Sequence, residues 1–170
     1  MKKLVVVLLV VFALVPLAAQ EEMDAEFYYN RGIEYYNNGN IDLAIQDFSE
    51  AIRIKPDYVE AWTYRGAALN GTREWDKAIK DAREAIRINS DYTKAWNVPG
   101  AAFNYKKDYD LAIEYCIEAI RVNHNNSEDY SESYNSIGYA YLTGKGDLDH
   151  AIENYTKAIE YNPNSISAFS

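Results

Sequence analysis

Gly32, Gly66 and Gly100 stand 34 residues apart, and two alanine series keep the same step: Ala44, Ala78 and Ala112, then Ala51, Ala85 and Ala119. A fixed period of this length makes each copy one supersecondary unit that must bury its apolar face against its neighbours, so the period decides the fold before any other feature. A fourth copy follows through Gly138, Ala151 and Ala158. It is displaced by four extra residues around Ser127 to Tyr130 and by one more in the turn Thr143 to Leu148.

Within a period the apolar spacing divides into two amphipathic helices. In the first copy Phe27, Tyr28, Arg31, Gly32 and Tyr35 share one stripe, and Ile41, Ala44, Ile45, Phe48, Ala51 and Ile52 share a second. Asn38-Gly39-Asn40 separates them with the residue types of a left-handed helix C-cap. Equivalent breaks are expected at Asn70-Gly71, Lys107-Asp108 and Thr143-Gly144. Pro56 ends the second helix, and Asp57 is the expected N-cap of the next. Glycine at the eighth position and alanine at the twentieth allow the paired helices to approach closely, while aromatic rings fill the remaining space. Sixteen tyrosines accompany only eight glycines and four prolines, a shortage of breakers that fits an all-α chain.

The pattern Trp-x-x-Leu-Gly-x-x-Tyr, then Ala-x-x-x-Phe, then Ala and Pro, resembles that of the tetratricopeptide repeats. The first copy carries it through Tyr28, Gly32, Tyr35, Ala44, Phe48, Ala51 and Pro56. The second does so through Trp62, Gly66, Leu69, Ala78, Ala82 and Ala85, with Ser90 in the proline place. The third uses Trp96, Gly100, Phe103, Ala112, Cys116 and Ala119, with His124 in that place. The fourth uses Tyr134, Gly138, Tyr141, Ala151, Tyr155, Ala158 and Pro163, and its Gly138-x-x-Tyr141-x-x-Gly144-x-Gly146 run also resembles the related Sel1-type repeat. The resemblance implies an all-α, right-handed α-solenoid of four helix-turn-helix (TPR) repeats, with about eight helices. The repeats fall at 25–58, 59–92, 93–126 and 131–165.

The resemblance further implies an inner groove lined by the second, fifth, ninth, twelfth and thirteenth positions of each first helix. A peptide would there meet Tyr29, Tyr36 and Asn37 of the first copy, Thr63 and Asn70 of the second, Lys94, Asn97, Asn104 and Tyr105 of the third, and Asn135 and Tyr139 of the fourth. Asparagine amides offer both donor and acceptor to an extended backbone, and tyrosines offer broad contact area with a polar tip. The lysine and asparagine clamp with which some arrays hold acidic C-termini is absent, because its places hold Tyr29, Ile33, Thr63 and Ala67. Glu26, Glu60 and Glu132 along one edge favour a neutral or basic partner segment.

Two places depart from the family pattern. Pro99 falls at the seventh position of its copy, where Arg31 and Arg65 stand in the first two. In a helix interior it removes an amide donor and crowds the carbonyl of Ala95 at roughly 3 kcal/mol, so a kink or a shortened first turn is expected there. Ile166 to Ser170 reads as the start of an incomplete fifth repeat or a cap, with Phe169 in the tryptophan place.

At the other end Lys2 and Lys3 precede an apolar run from Leu4 to Ala19, with small residues at its close. This describes a secretory signal peptide over 1–19, followed by a short acidic linker at 20–24. The alternative is an uncleaved membrane anchor over residues 4–19, although a run of that length falls short of the roughly 20 residues a spanning helix needs. The expected location is periplasmic or extracellular.

Chemistry is sparse. A formal charge of −9 without a basic cluster argues against nucleic acid and against anionic lipid. The single cysteine, Cys116, occupies a core-facing position rather than an exposed, cationic setting that would activate it. His124 and His150 share no ligand spacing with it or with each other, so neither a zinc site nor another cofactor is expected. The carboxylates, as in Asp81-Ala82-Arg83-Glu84, read as solvated outward faces. No catalytic set and no small-molecule substrate follow from this. The expected function is a non-catalytic scaffold for a protein or peptide partner, and its rival is a structural protein that forms homo-oligomers through its C-terminal repeat.

Overall fold

The computed structural model describes residues 24–122 and 127–163. These form eight α-helices in four antiparallel pairs: α1 (Ala25–Asn37) with α2 (Ile41–Ile54), α3 (Val59–Gly71) with α4 (Trp75–Ile88), α5 (Thr93–Lys106) with α6 (Tyr109–Val122), and α7 (Ser127–Ala140) with α8 (Leu148–Tyr161). Each pair packs on the next, and the described residues form the α-solenoid that the resemblance implies. Among the described residues no helix is long and apolar enough to cross a membrane. The expected signal peptide or anchor, His124 and the start of a fifth repeat lie outside the described residues.

Small residues set the spacing of the helices. Ala44, Ala78 and Ala112 are fully buried and Ala151 nearly so. The eighth-position glycine faces the twenty-fourth residue of the same copy. A Cβ on Gly32 would come within 2.7 Å of the Phe48 ring, one on Gly100 within 2.5 Å of the Cys116 sulfur, and one on Gly138 within 2.9 Å of the Tyr155 ring. The second copy has only Ala82 there, and the space beside Gly66 is taken by Val98 of the following repeat, 3.1 Å from such a Cβ.

The turns follow the register more strictly than the glycines do. After α1, Gly39 adopts a left-handed φ of 77°, its amide bonds to Tyr36 O and that of Asn40 to Tyr35 O, which closes the helix with a Schellman pattern. The equivalent left-handed residues are Arg73, Lys107 and Gly146. The breaks expected at Asn70-Gly71 and Thr143-Gly144 are therefore displaced: α3 runs through Gly71, and Gly144 lies inside a π-helical turn, Tyr141–Lys145. That turn absorbs the extra residue of the fourth copy as one wide helical loop. Asp24 caps α1 by accepting from Phe27 N at 2.8 Å. Asp57 caps nothing, because α3 begins one residue later with Tyr58 at its N-cap and no side-chain bond.

Two further expectations change. Helix α5 runs unbroken from Thr93 to Lys106 with Pro99 fully buried inside it, so its first turn is not shortened. Asp81 is not a solvated residue: it is buried and grips Arg65 through two bonds of 2.6 and 2.8 Å, as Asp47 grips Arg31 at 2.6 and 2.7 Å. These forked guanidinium–carboxylate pairs tie the two helices of a copy together.

Successive first helices touch one another directly, α3 on α5 and α5 on α7, whereas no comparable contact joins successive second helices. The array therefore curves with α1, α3, α5 and α7 on its inner side. The open seams between second helices, such as the cleft lined by Ile45, Trp62, Arg65, Leu69, Lys77 and Asp81, lie outside.

Candidate inner-face binding site

The twelfth residue of each first helix reaches the sixth residue of the next copy, and this contact stitches the inner wall. Asn70 Nδ2 donates to Val98 O at 2.9 Å, and Asn104 Nδ2 donates to Ser136 O at 3.0 Å. In the first copy the same place holds Tyr36, whose ring meets that of Tyr64 at 6.3 Å in an edge-to-face pair. Both asparagines leave their own Oδ1 buried and without a partner.

The expected groove residues therefore separate into two groups. Thr63, Asn97 and Asn104 are withdrawn into the structure, which corrects their assignment to a peptide-facing surface. Thr63 donates its hydroxyl back to Val59 O at 2.9 Å. Asn97 donates to Asp129 O at 3.3 Å and to Glu132 Oε2 at 3.4 Å, and it accepts from Ser133 Oγ at 2.7 Å. Asn97 and Asn104 thus give their donors to the next repeat, and Thr63 gives its own to the preceding turn of its helix. Tyr29, Tyr36, Asn70, Lys94 and Asn135 are half-buried on the wall, while Asn37, Tyr105 and Tyr139 are exposed. Tyr105 is 59% exposed, and its ring stacks on Trp75 at 6.1 Å.

Sequence reasoning overlooked the aromatic cluster at the N-terminal end of this wall. Tyr29 lies between Tyr58 at 5.0 Å and Tyr64 at 5.9 Å, centroid to centroid, so three rings from two copies meet. Burial, followed by neighbouring phenols and Glu60, raises the pKa values of Tyr29 and Tyr92 well above the ordinary tyrosine value; burial and then Glu60 raise that of Tyr58. A signal existed in the sequence: the dipeptides Asp57-Tyr58, Asp91-Tyr92 and Asp129-Tyr130 recur in one register of three copies, the first two just before α3 and α5 and the third in the first turn of α7. Lys94 points into the same wall. Its Nζ is 3.4 Å from Tyr64 Oη and 5.7 Å from the centre of that ring.

Burial pushes the Cys116 thiol up to about 12, which keeps it protonated at neutral pH. Among the described residues no group of three or more His, Cys, Asp and Glu side chains is placed to hold a metal ion. What the wall offers is shape, aromatic surface and carboxylate charge.

Comparison with known proteins gives the same architecture. The signature of the tetratricopeptide repeat matches residues 25–58 and, in a second form, residues 131–165. Over 45 residues the chain is 40% identical to an uncharacterised protein of Methanocaldococcus jannaschii, in a match that covers 26% of this chain and 52% of that protein. The chain thus spans about half the length of the curated relative it matches. Among solved structures it is similar to a crystal structure of MamA, with a TM-score of 0.69, 26% identity, and coverage of 86% of this chain and 83% of that one. MamA from Desulfovibrio magneticus RS-1 gives a TM-score of 0.69 at 22% identity over 87% and 81% of the two chains. The first TPR of Spaghetti, bound to the HSP90 peptide SRMEEVD, gives 0.64 at 22% identity over 71% and 92%. These last two show likeness of fold alone.

Proposed function

The chain belongs to the tetratricopeptide-repeat family, and on that premise we propose that it is a non-catalytic scaffold holding a partner protein or extended peptide along the inner face of its repeats. One observation carries this reading: the four first helices form a continuous wall on which Tyr29, Tyr36, Tyr105 and Tyr139 keep accessible ring surface. The wall is ordered before any partner arrives, so binding does not have to fix it. The Spaghetti domain carries an acidic peptide. Here the clamp for such a peptide is missing, and Glu26, Glu60 and Glu132 favour a neutral or basic segment. The lysine pair and apolar run at the N-terminus support placing the protein in the cell envelope or outside the cell, processed near Gln20. Intact Met1 in a cytoplasmic fraction would refute that placement.

The scaffold reading is tested by selecting ligands from a random peptide library and placing a photo-crosslinking residue at Tyr105, Tyr139 or the outer-face Ile117. Selected peptides are expected to crosslink from Tyr105 and Tyr139. Crosslinks confined to Ile117 overturn the inner face as the binding surface.

A second reading, self-association through the last helix pair, rests on the bare outer face of α8. Ile152 is 63% exposed, although its equivalent Ile79 is covered to 6% by the following repeat. Leu148 and Ile159 are exposed beside it. Repeat-on-repeat stacking onto the first helix of another copy is disfavoured. The seam positions held by Ala61, Ala95 and Ser133, and by Ala68, Ala102 and Ala140, are Phe27 and Glu34 in α1. Analytical ultracentrifugation of Ile152→Glu decides the matter: an unchanged monomer mass in wild type and variant removes this reading.

A further inference from the structure

Glu60 is a half-buried carboxylate on the inner wall with no hydrogen bond or ion pair among the described residues, although other half-buried and buried carboxylates of the array, Asp47, Asp81 and Glu74, are paired. It sits on the first turn of α3, two residues after Tyr58 and one helical turn before Tyr64, the two rings that flank Tyr29 at 5.0 and 5.9 Å. Its charge is among the causes that raise the pKa values of Tyr29, Tyr58 and Tyr92. Ring faces and a carboxylate together make a surface for a cation.

The molecule already uses this surface for its own ammonium groups. Lys55 Nζ lies 4.5 Å from the centre of the Tyr58 ring, and Lys94 Nζ lies over Tyr64 within reach of its hydroxyl. Burial works against the charge on Lys94, yet the Tyr64 phenol, Asp129 and Glu128 outweigh it, and its pKa stands above that of a free lysine. Neither lysine forms an ion pair with Glu60.

We propose that Glu60, on the first turn of α3 next to the Tyr29–Tyr58–Tyr64 cluster, is a subsite for the cationic side chain of a lysine or arginine in the partner segment. The proposal rests on the scaffold reading above and names the chemistry of one place within it. The cation approaches from the groove, its charge meets Glu60, and its alkyl stem lies along Tyr29. Lys94 stands at the next ring and repels a second cation, which limits the subsite to one.

Fluorescence anisotropy with labelled hexalysine, hexaarginine and hexaglutamine peptides tests this on the full chain. The cationic peptides are expected to bind, and Glu60→Gln to weaken them about tenfold. Tyr29→Phe keeps the ring and is expected to retain most of the affinity, whereas Tyr29→Leu loses severalfold with the thermal midpoint followed as a folding control. Lys94→Met removes the competing charge and is expected to strengthen binding. Glu114→Gln makes the same charge change on the outer helix α6 and is expected to leave affinity unaltered. Equal weakening by Glu60→Gln and Glu114→Gln overturns the subsite, because the attraction is then the general field of the acidic chain. If only hexaglutamine binds, the subsite is wrong and the scaffold reading stands; if library selection also returns nothing on the inner face, both fall.

Discussion

In the first two repeats an arginine precedes the close-approach glycine, and an aspartate sixteen residues later meets it: Arg31 with Asp47, Arg65 with Asp81. In the last two repeats the same places hold Pro99 with Tyr115 and Ile137 with Asn154. The charged partners vanish together, never singly. A lone buried aspartate or arginine would lose its hydration without compensation, so one member cannot be removed alone without a large penalty. The replacements are self-sufficient. Tyr115 stacks on Phe103 at 5.5 Å, and Asn154 returns its amide to His150 O at 2.8 Å within its own helix. One backbone register thus accepts two chemistries, provided that both positions change at once.

The largest test of this contrast is Asp81→Ala against Asn154→Ala. Breaking the buried pair strands Arg65 and is expected to cost about 3 kcal/mol, whereas the asparagine loses one local bond worth about 1 kcal/mol. Urea midpoints at constant slope measure both, and equal losses would dissolve the distinction between the two halves.

Next comes an attempt to rebuild the ion pair in the third repeat. Pro99→Arg alone copies its predecessors but faces Tyr115 instead of an aspartate, so the first-repeat arginine does not simply transplant. Combined with Tyr115→Asp, it is expected to show a favourable coupling of about 2 kcal/mol in a double-mutant cycle. A coupling near zero would mean that the packing around Pro99 has diverged beyond repair by two residues.

Smaller effects distinguish wall from groove. Asn104→Ala removes the seam bond to Ser136 O, with an expected loss of about 1 kcal/mol in stability. Asn135→Ala, half-buried on the same face without such a bond, is expected to leave the thermal midpoint unchanged. The reverse result would put Asn135 in the seam.

The smallest change concerns the turns. Arg73 and Lys107 hold left-handed φ values of 65° and 64° where Gly39 and Gly146 stand in the other copies. Relieving that strain with Lys107→Gly is expected to gain about 0.5 kcal/mol after the extra chain entropy of glycine is deducted. Calorimetry detects it as a small rise in Tm.

Much of this was legible in the residues. The period located the helix pairs, and the glycine and alanine series located their close contacts. The arginine–aspartate pairs were legible too, since both recur at one separation of sixteen residues, but the runs containing the aspartates looked like ordinary outward faces. The inner wall was read less well. Asn97 and Asn104 carry the right chemistry for a peptide backbone, yet they turn that chemistry toward the following repeat.

What the sequence determined by itself is the division of each copy into a helix pair and the close contact between its two helices. The pairing of Gly32 with Phe48 or Gly100 with Cys116 depends on spacing and side-chain size over a few turns, and a linear pattern records both. Tertiary structure alone decided what happens between copies. The rotation of each repeat on the next brings Tyr29, Tyr58 and Tyr64 together, carries Asn70 to Val98, and leaves Glu60 without a partner among the described residues. That rotation is set by how unequal side chains fill each seam, a sum over two surfaces that no single period contains.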